Sequence, residues 1–351
     1  MTMLSMSVQP YQNIRFAAKV SPVILGADMR RREFLGVLGS AAAWPMAGRA
    51  QTPGRTYRIG YLTGASRRQA TLLVALLDEL RLAGFIEGQN LTVLDGGFGV
   101  MNNEAPAAIA ALVKASPDAI FTPGFVLAKA AQTATKTIPI VAMSEDMVAE
   151  GLVSSLARPD GNTTGISLIS PDLDGKRGDL LLEAVPGLHH VAVLADPSVD
   201  TPSHLQDLKD SAKARGIELS VFSARTPQEI VPALDAAKSS GARAINVLAT
   251  SLFFFNRRMV IERANELRLP AVYQWPEMAE EGGLIGYGPR FTEVGRLLGR
   301  QLVKILRGAN PGAIPVEQPS RFELVINLQT AKAIGVEIPP NFVLHADKLI
   351  E

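Results

Sequence analysis

The chain alternates short runs of consecutive apolar residues with longer segments in which apolar residues recur every three or four positions. The first run, residues 57–62, leads into a segment over 68–83 whose leucines have helical spacing. Such short apolar runs are typical of strands buried on both faces of a parallel sheet. The first half of the chain therefore predicts strands at 57–62, 91–94, 119–122 and 138–143, and helices at 68–83, 105–114 and 124–136.

Residues 144–165 are rich in Gly, Asp, Asn and Pro, and they predict a connection between two units. The alternation then resumes. The predicted strands are 164–168, 190–195, 218–222, 244–248, 270–274, 284–287 and 321–327, and the predicted helices lie near 173–185, 202–215, 227–239, 253–267 and 292–307. Parallel neighbours need crossover connections of this length, so the predicted fold class is α/β, with two Rossmann-like lobes whose parallel sheets are flanked by helices.

Residues 1–50 are predicted to be an N-terminal extension with an export signal, outside the fold. Arg30, Arg31 and Arg32 precede a mildly apolar segment and then small residues that end at Ala50. The paired arginines resemble a twin-arginine signal, which predicts cleavage near Ala50 and a periplasmic protein. Met29 directly precedes the arginines, so translation is expected to start there. The alternative is a buried N-terminal helix with a basic cap.

Composition and charge narrow the classes of function. Hydrophobic residues make up 47% of the chain and charged residues 20%, as in ordinary globular proteins. The first 50 residues hold six Lys or Arg and two acids, which leaves 29 bases against 32 acids in the rest. A slightly acidic body predicts no nucleic-acid partner. The absence of cysteine excludes a lipid anchor on cysteine and any thiolate metal site, and no apolar run reaches the roughly 20 residues of a membrane helix, so no direct membrane anchor is expected.

Motifs for catalysis and metal binding are absent from the sequence. The Gly-rich nucleotide loops and the Gly-x-Ser-x-Gly elbow do not occur, and the four histidines lack metal-ligand spacing. Asp172, Asp174 and Asp179 flank Gly175 but lack the closing Glu of a calcium loop, so a helix cap is the preferred interpretation. We therefore expect no catalytic residues, no metal and no cofactor, and we expect that the protein is not an enzyme.

The turns that follow the predicted strands contain the candidate ligand-binding residues. In an open parallel sheet, ligands bind beyond the carboxyl ends of the strands. Small and hydroxylated turns there suit a carboxylate or another small polar group, acids suit an ammonium, and aromatic residues suit an apolar body. The alternatives are ordinary helix capping and core packing. The candidates are Tyr61, Thr63, Gly64, Thr122, Pro123, Gly124, Ser144, Glu145, Asp146, Asp196, Thr250, Ser251, Gln274, Trp275 and Tyr287.

Two segments are more specific than the α/β pattern: Gly151-Leu-Val-Ser-Ser-Leu-Ala-Arg-Pro-Asp-Gly-Asn-Thr-Thr-Gly165 and Pro319-Ser-Arg-Phe-Glu-Leu-Val-Ile-Asn-Leu-Gln-Thr-Ala-Lys332. Through them the chain resembles the TrpX-like substrate-binding proteins of ABC transporters, which have the type I periplasmic binding protein fold. The resemblance implies two hinge-linked lobes joined by three crossing segments. It places the first lobe at 57–148 plus 284–318 and the second at 160–283 plus 319–351.

The resemblance also implies a function. The chain is expected to be the periplasmic solute-binding component of an ABC import system, with a membrane permease as its partner. Its solute would be small and polar or carboxylate-bearing, such as an amino acid or an aromatic acid. Residues 250–253 depart from the pattern, because other members place an Asp there. The alternatives are the effector-binding domain of a regulator and a Rossmann-like enzyme.

Overall fold

The computed structural model describes residues 54–100 and 103–351, so the export signal predicted for residues 1–50 lies outside the described residues. The twelve strands of the described part form two sheets. All the strands predicted from the sequence are present, with bounds within two residues of those predicted. The α/β fold class is confirmed.

The first sheet has the strand order β2-β1-β3-β4-β5 and is parallel throughout. Every residue of β3, β4 and β5 is buried, as expected for strands covered by helices on both faces. The strands β1 to β5 span Tyr57–Tyr61, Leu91–Leu94, Ala119–Pro123, Ile140–Ser144 and Thr163–Ser167. The helices α1 to α3 between them span Thr71–Leu82, Ala105–Lys114 and Phe125–Ala134.

The second sheet has the order β12-β11-β10-β9-β8-β6-β7. The strands β6 to β12 span His190–Ala195, Glu218–Ser223, Ala244–Val247, Ala271–Tyr273, Ile285–Gly288, Glu323–Asn327 and Lys348–Ile350. The β10–β11 pair is antiparallel, which differs from the expected parallel pairing. The chain leaves the second sheet at the carboxyl end of β10 and returns to that same end of the sheet to begin β11. The strand β11 therefore runs in the direction opposite to β10.

Nine helices accompany the second half of the described chain. The helices α4 to α12 span Ser170–Ala184, Pro202–Ala214, Pro227–Ser239, Ser251–Phe255, Arg257–Glu266, Pro276–Glu280, Phe291–Leu306, Leu328–Ile334 and Pro340–Val343. The single helix predicted at 253–267 is two helices, α7 and α8, which meet at Asn256. The Asn256 backbone N–H donates to the Leu252 carbonyl at 3.2 Å, and the Asn256 side chain donates a second hydrogen bond to the same carbonyl at 2.8 Å. No helix of the described part is both long and apolar enough to span a bilayer.

The chain passes between the two sheets three times. It crosses after β5 at Leu168–Ile169, after β10 at Pro289–Arg290, and before β11 over 318–322. Upstream of the third crossing, Glu317 lies along β5, where its N–H donates to the Gly165 carbonyl at 3.0 Å. Ile169 has φ +56°, an uncommon conformation for a β-branched residue, at the point where the first crossing becomes α4.

These crossings differ from the lobe boundaries expected from the sequence. The expectation began the second lobe at residue 160, yet β5 pairs with β4 in the first sheet. It returned the chain to the first lobe at residue 284, yet β10 pairs with β9 in the second sheet. The physical reason is that the chain changes sheets at the carboxyl ends of these strands. The Gly-rich segment before β5 is an ordinary surface connection within the first sheet. We therefore propose that the first lobe runs to about residue 167 and resumes at α10, since α10 packs on α1.

Close packing between α10 and α1 fixes the second crossing against the first sheet. A Cβ on Gly295 would lie 2.8 Å from the Ala75 Cβ, and one on Gly299 would lie 2.6 Å from the Glu79 Cβ. Side chains at these two positions would therefore separate the helices. The consequence for the site is that Phe291, the first residue of α10, is held at the cleft between the two sheets.

Candidate functional site

The carboxyl ends of the parallel strands of both sheets meet at one cleft. The ends of β1, β3 and β4 contribute from the first sheet, and the ends of β6, β8 and β9 contribute from the second. The cleft holds a larger cavity of about 560 Å³ and an adjoining narrow space of about 30 Å³, which we call the aromatic recess. Both are lined by Pro123, Glu145, Ser251 and Phe255.

Two glycines of the first sheet allow the two sides of the cleft to come close. Gly124 has φ +92° and directly precedes α3, and a Cβ at this position would lie 2.5 Å from the Ser251 Oγ. A Cβ on Gly64 would lie 3.3 Å from the Phe255 ring. No side chain caps the start of α3, whose first three residues line the larger cavity. The N-terminal dipole of α3 therefore favours negative charge at this wall.

Glu145 is the acidic group at the boundary between the two spaces. It follows β4, and its carboxylate has no hydrogen-bond or ion-pair partner in the part of the chain that the structure describes. Burial raises the pKa of Glu145 well above its ordinary value, and the nearby carboxylates of Glu150, Asp174 and Asp200 raise it further. The Arg177 guanidinium acts in the opposite direction. Burial and these acids favour the neutral form of Glu145, and a cationic group placed beside it would favour the carboxylate.

Aromatic side chains form the wall of the recess. Trp275 packs on Phe291 with ring centroids 4.0 Å apart, and Phe254 packs on Phe291 at 4.4 Å. Trp275 is 2% exposed. Its Nε1–H and the Oε1 of the neighbouring Gln274 are buried, and neither has a hydrogen-bond partner among the described residues. Buried polar groups are normally satisfied, which makes these two atoms candidates for groups that contact a ligand.

The tyrosine on the opposite wall of the recess is part of a ring stack in the first sheet. Tyr61 stacks on Phe121 at 4.7 Å and meets Phe98 edge-on at 5.1 Å. Burial raises the pKa of the Tyr61 phenol, so it stays protonated at physiological pH. The ring therefore presents a neutral, mostly apolar surface to the recess.

Nine of the fifteen candidate residues line the cavity or the recess. They are Tyr61, Gly64, Pro123, Gly124, Glu145, Asp196, Ser251, Gln274 and Trp275. Asp196 also shapes its own turn, because its Oδ1 accepts hydrogen bonds from the backbone N–H and the hydroxyl of Ser198. The role of these nine residues in binding a ligand stays a prediction.

The other six candidates do not line either space. They are Thr63, Thr122, Ser144, Asp146, Thr250 and Tyr287. Thr250 caps α7 through Phe253 N–H, and Asp146 accepts hydrogen bonds from the next turn, so helix and turn capping explains both. Ser144 donates to the Glu150 carboxylate.

Of the remaining three, Thr63 and Thr122 are fully buried within the first sheet. Tyr287 lies on β10, packs near Phe322, and contributes its carbonyl to Arg177.

Several residues of the site were not predicted. Phe255 belongs to a Phe-Phe-Phe run that the sequence shows, but Phe291 reaches the recess only because α10 returns to the first sheet. Arg177 has no sequence signal. The helix cap expected at Asp172–Asp179 is wrong, since α4 begins at Ser170 and Asp174 is a buried partner of Arg177. Within the described residues no cluster of three or more acids or histidines could hold a metal ion.

The fold and the cleft define the class of protein. Two helix-flanked sheets, joined by three crossings and facing each other at the carboxyl ends of their strands, are the architecture of type I periplasmic binding proteins. The model of the family described as ABC transporter substrate binding protein matches residues 74–350. The chain belongs to this family.

Known relatives agree with this assignment. The chain is 29% identical over 263 residues to a tyrosine-binding protein from Clostridioides difficile, covering 72% of this chain and 73% of that protein. A conserved domain protein from Vibrio cholerae is 26% identical with a TM-score of 0.75, covering 84% and 99% of the two chains. An ABC domain in complex with L-Trp from Streptococcus pneumonia is 22% identical with a TM-score of 0.73, covering 84% and 100%.

Proposed function

We propose that the protein is the periplasmic solute-binding component of an ABC import system and that it binds an amino acid, preferably an aromatic one, in the cleft between its two lobes. The observation that carries the proposal is a pair of buried polar groups without a hydrogen-bond partner among the described residues, the Oε1 of Gln274 and the Nε1–H of Trp275, in a recess that Glu145 also lines. Buried polar groups are normally satisfied, so Gln274 and Trp275 supply ligand groups in this proposal, and Glu145 is the acidic group that lines the same recess.

The polar head of an amino acid matches the charges at the boundary of the two spaces. Its ammonium would pair with Glu145, which lines both spaces and has no hydrogen-bond or ion-pair partner among the described residues. Its carboxylate would lie at the start of α3, where Phe125, Val126 and Leu127 line the larger cavity and helix N–H groups lack helical acceptors. The two charges of a zwitterion thus have separate partners, both on the first sheet side of the cleft.

The body of the solute would contact the second sheet side. Phe255 lines both spaces, and Trp275 and Gln274 lie beyond it in the recess. In this conformation the recess holds little more than a water molecule, so an aromatic side chain would enter as the lobes separate about the three crossings. The names of the relatives from C. difficile and S. pneumonia, which refer to tyrosine and L-Trp, support an aromatic amino acid.

Closure would then depend on contacts from both lobes. A solute shifts the lobes towards the closed form only by binding that form more tightly, and the permease would recognise the closed form. Membership in the family of transporter substrate-binding proteins favours this role over the effector domain of a regulator or a Rossmann-like enzyme. Release into the periplasm, after cleavage near Ala50, is part of the same proposal.

Intrinsic fluorescence gives a direct test, because the chain has only two tryptophans, Trp44 and Trp275. In a full-length chain carrying Trp44→Phe, which we call the reporter chain, all tryptophan emission comes from the recess. We expect L-tyrosine and L-phenylalanine to change this emission saturably and to raise the thermal midpoint, since a ligand that binds only the native state stabilises it by mass action. Calorimetry replaces fluorescence for L-tryptophan.

Matched analogues of phenylalanine separate the contributions of its charged groups. Phenylethylamine lacks the carboxylate and 3-phenylpropionate lacks the ammonium, and we expect each to bind at least about tenfold more weakly, since loss of one charged hydrogen bond costs about 1.5–3 kcal/mol. Glu145→Gln should weaken phenylalanine but not 3-phenylpropionate. A protein whose emission and thermal midpoint respond to none of the twenty amino acids would refute the proposal.

A further inference from the structure

The helix α10 begins at Phe291 without a capping side chain of its own. Its N-cap residue is Arg290, whose side chain makes no capping hydrogen bond to the first turn. The first N–H groups of a helix have no acceptor within the helix, so they need one from elsewhere. For the Phe291 N–H this acceptor is the Oε1 of Glu277, at 3.0 Å. Glu277 belongs to α9, so the start of α10 is capped by a different helix.

The helix α9 is fixed to the second sheet, whereas α10 packs with the first. The side chain of Asn327, at the end of β11, donates to the Ala279 carbonyl of α9 at 2.9 Å. On β10, a Cβ at Gly286 would lie 2.4 Å from the Trp275 carbonyl oxygen, so this strand and the start of α9 are in close contact. Beyond its first turn, α10 packs on α1. The hydrogen bond to Glu277 therefore joins the two lobes at the point where the second crossing ends.

The same hydrogen bond bears on the aromatic wall of the recess. The centroid of the Phe291 ring lies 4.0 Å from that of Trp275 and 4.4 Å from that of Phe254. Trp275 and Glu277 are two residues apart, and the Met278 N–H donates to the Trp275 carbonyl at 3.0 Å, so the indole and the capping carboxylate are carried by one turn. This turn of the second lobe thus provides one ring of the wall and holds the backbone that carries the next.

Arg290 forms ion pairs beside the cap. Its Nε donates to the Glu323 carboxylate at 2.6 Å, and its Nη1 donates to that of Glu280 at 2.8 Å. The same Nη1 lies 3.8 Å from the Oε1 of Glu277. In the described part of the chain, the Glu280 carboxylate pairs with Arg290 and Lys348. Glu280 thus shares a helix and an arginine with Glu277 but does not cap α10, which makes it a matched control.

We propose that Glu277 is a positioning residue of the recess, which caps α10 from the opposite lobe and thereby holds the ring of Phe291 against Trp275. The inference rests on the proposed function in one respect, because it takes the recess to be the place where a solute's ring enters. The alternative is a cap that only stabilises α10. Its loss would lower the thermal midpoint and leave the aromatic wall and the affinity of the folded protein unchanged.

The first test needs no solute. In the reporter chain, the wavelength of Trp275 emission and its quenching by acrylamide report how closely the ring of Phe291 covers the indole. Glu277→Met keeps the length of the side chain but removes both oxygens, so the Phe291 N–H must find another acceptor and the first turn of α10 must move. We expect emission at longer wavelength and stronger quenching. Glu277→Gln keeps an acceptor oxygen and should retain the parental emission.

Two further variants complete this test. Glu280→Met removes a carboxylate from the same helix and the same arginine, and it should leave the emission unchanged. Glu277→Ala removes the acceptor without introducing an apolar chain, so it should show the same change as Glu277→Met when loss of the cap is the cause. The emission is read at a temperature at which circular dichroism shows every variant to be folded.

The second test measures affinity for L-phenylalanine by calorimetry in the same variants. A displaced Phe291 ring no longer supports a ring bound beside Trp275. We therefore expect Glu277→Met and Glu277→Ala to bind roughly five- to tenfold more weakly, which corresponds to the loss of about one hydrogen bond. Glu277→Gln and Glu280→Met should bind within about twofold of the parent.

The outcomes separate the inference from the proposed function. Unchanged emission and affinity in Glu277→Met and Glu277→Ala, with a lower thermal midpoint, would show a purely structural cap and overturn the inference. Equal changes in Glu277→Met and Glu280→Met would assign the effect to the ion pairs of Arg290 and overturn it too, as would altered emission with unaltered affinity. A reporter chain that shows the expected emission changes but binds no amino acid overturns the proposed function, and the positioning of Phe291 by Glu277 stands.

Discussion

Gly124→Ala should weaken solute binding far more than it weakens the fold. Gly124 has φ +92° and ψ 143°, a region that residues with a side chain rarely adopt, and its position before α3 leaves no freedom to relax. An added Cβ would also lie 2.5 Å from the Ser251 Oγ and 3.3 Å from its Cβ. The strain from the positive φ acts on the first lobe in every state. The close contact with Ser251 exists only while the two lobes are close.

The magnitudes of the two effects follow from this geometry. Backbone strain of this kind costs about 1–3 kcal/mol and would appear as a lower unfolding free energy. The steric contact can be relieved by opening the cleft, since its two partners belong to different sheets. If the closed form loses about 1–2 kcal/mol relative to the open form, affinity for a solute that needs closure falls about five- to thirtyfold.

A double-mutant cycle separates the two effects. Ser251→Ala removes the hydroxyl oxygen that the new methyl group meets, so it should restore much of the affinity lost in Gly124→Ala without restoring stability. Calorimetry gives the affinities and thermal denaturation gives the stabilities. Gly96→Ala is the matched control, because its φ is ordinary and a Cβ there would meet no atom within 4 Å. Unchanged affinity in Gly124→Ala would refute closure in this geometry.

Three further predictions concern stability and the recess. Burial raises the pKa of Asp200 from 3.8 to about 7, so the protonated carboxyl that the fold favours is lost as pH rises through about 7. Asp200→Asn keeps a neutral side chain at every pH. Urea titration should therefore show a free energy of unfolding about 1–3 kcal/mol above that of the parent at pH 8, and little difference at pH 4. Gly299→Ala should lower the unfolding free energy by about 1–3 kcal/mol by separating α10 from α1, whereas Gly175→Ala, whose Cβ meets no atom within 4 Å, should raise it by about 0.5–1 kcal/mol. Trp275→Phe removes a buried N–H without a partner, so calorimetry should show about tenfold weaker amino-acid binding while the thermal midpoint stays level or rises.

The strands could be predicted from the sequence because burial on both faces leaves a direct trace. A strand such as Ala119–Pro123 is wholly buried and reads as a continuous apolar run bounded by turn residues. Its carboxyl end also identifies Pro123 and Gly124 as cavity residues, because the position of ligands in parallel sheets is a general rule. The same rule located Glu145 and Gln274.

The sheet change could not be predicted because it leaves no compositional trace. The Gly- and Asp-rich segment before β5 looks like a linker, yet the chain leaves the first sheet only at Leu168, an apolar and buried residue. The short strand Lys348–Ile350 and the short helices near the C-terminus were missed because their pattern is too brief to show a period. Arg177 was missed for a different reason: a buried charge is defined by partners distant in sequence.

The aromatic wall connects ligand binding to the crossings. Phe291 belongs to α10, which packs with the first lobe, and it directly follows the second crossing, yet its ring lies 4.0 Å from that of Trp275 on the second sheet side. The stack therefore crosses the boundary between the lobes beside one of the segments about which they would turn. Rotation there must slide these two rings, which changes the width of the recess. A side chain inserted next to Trp275 is thus coupled to the angle between the lobes through direct contact, so solutes of different ring size should favour different degrees of closure.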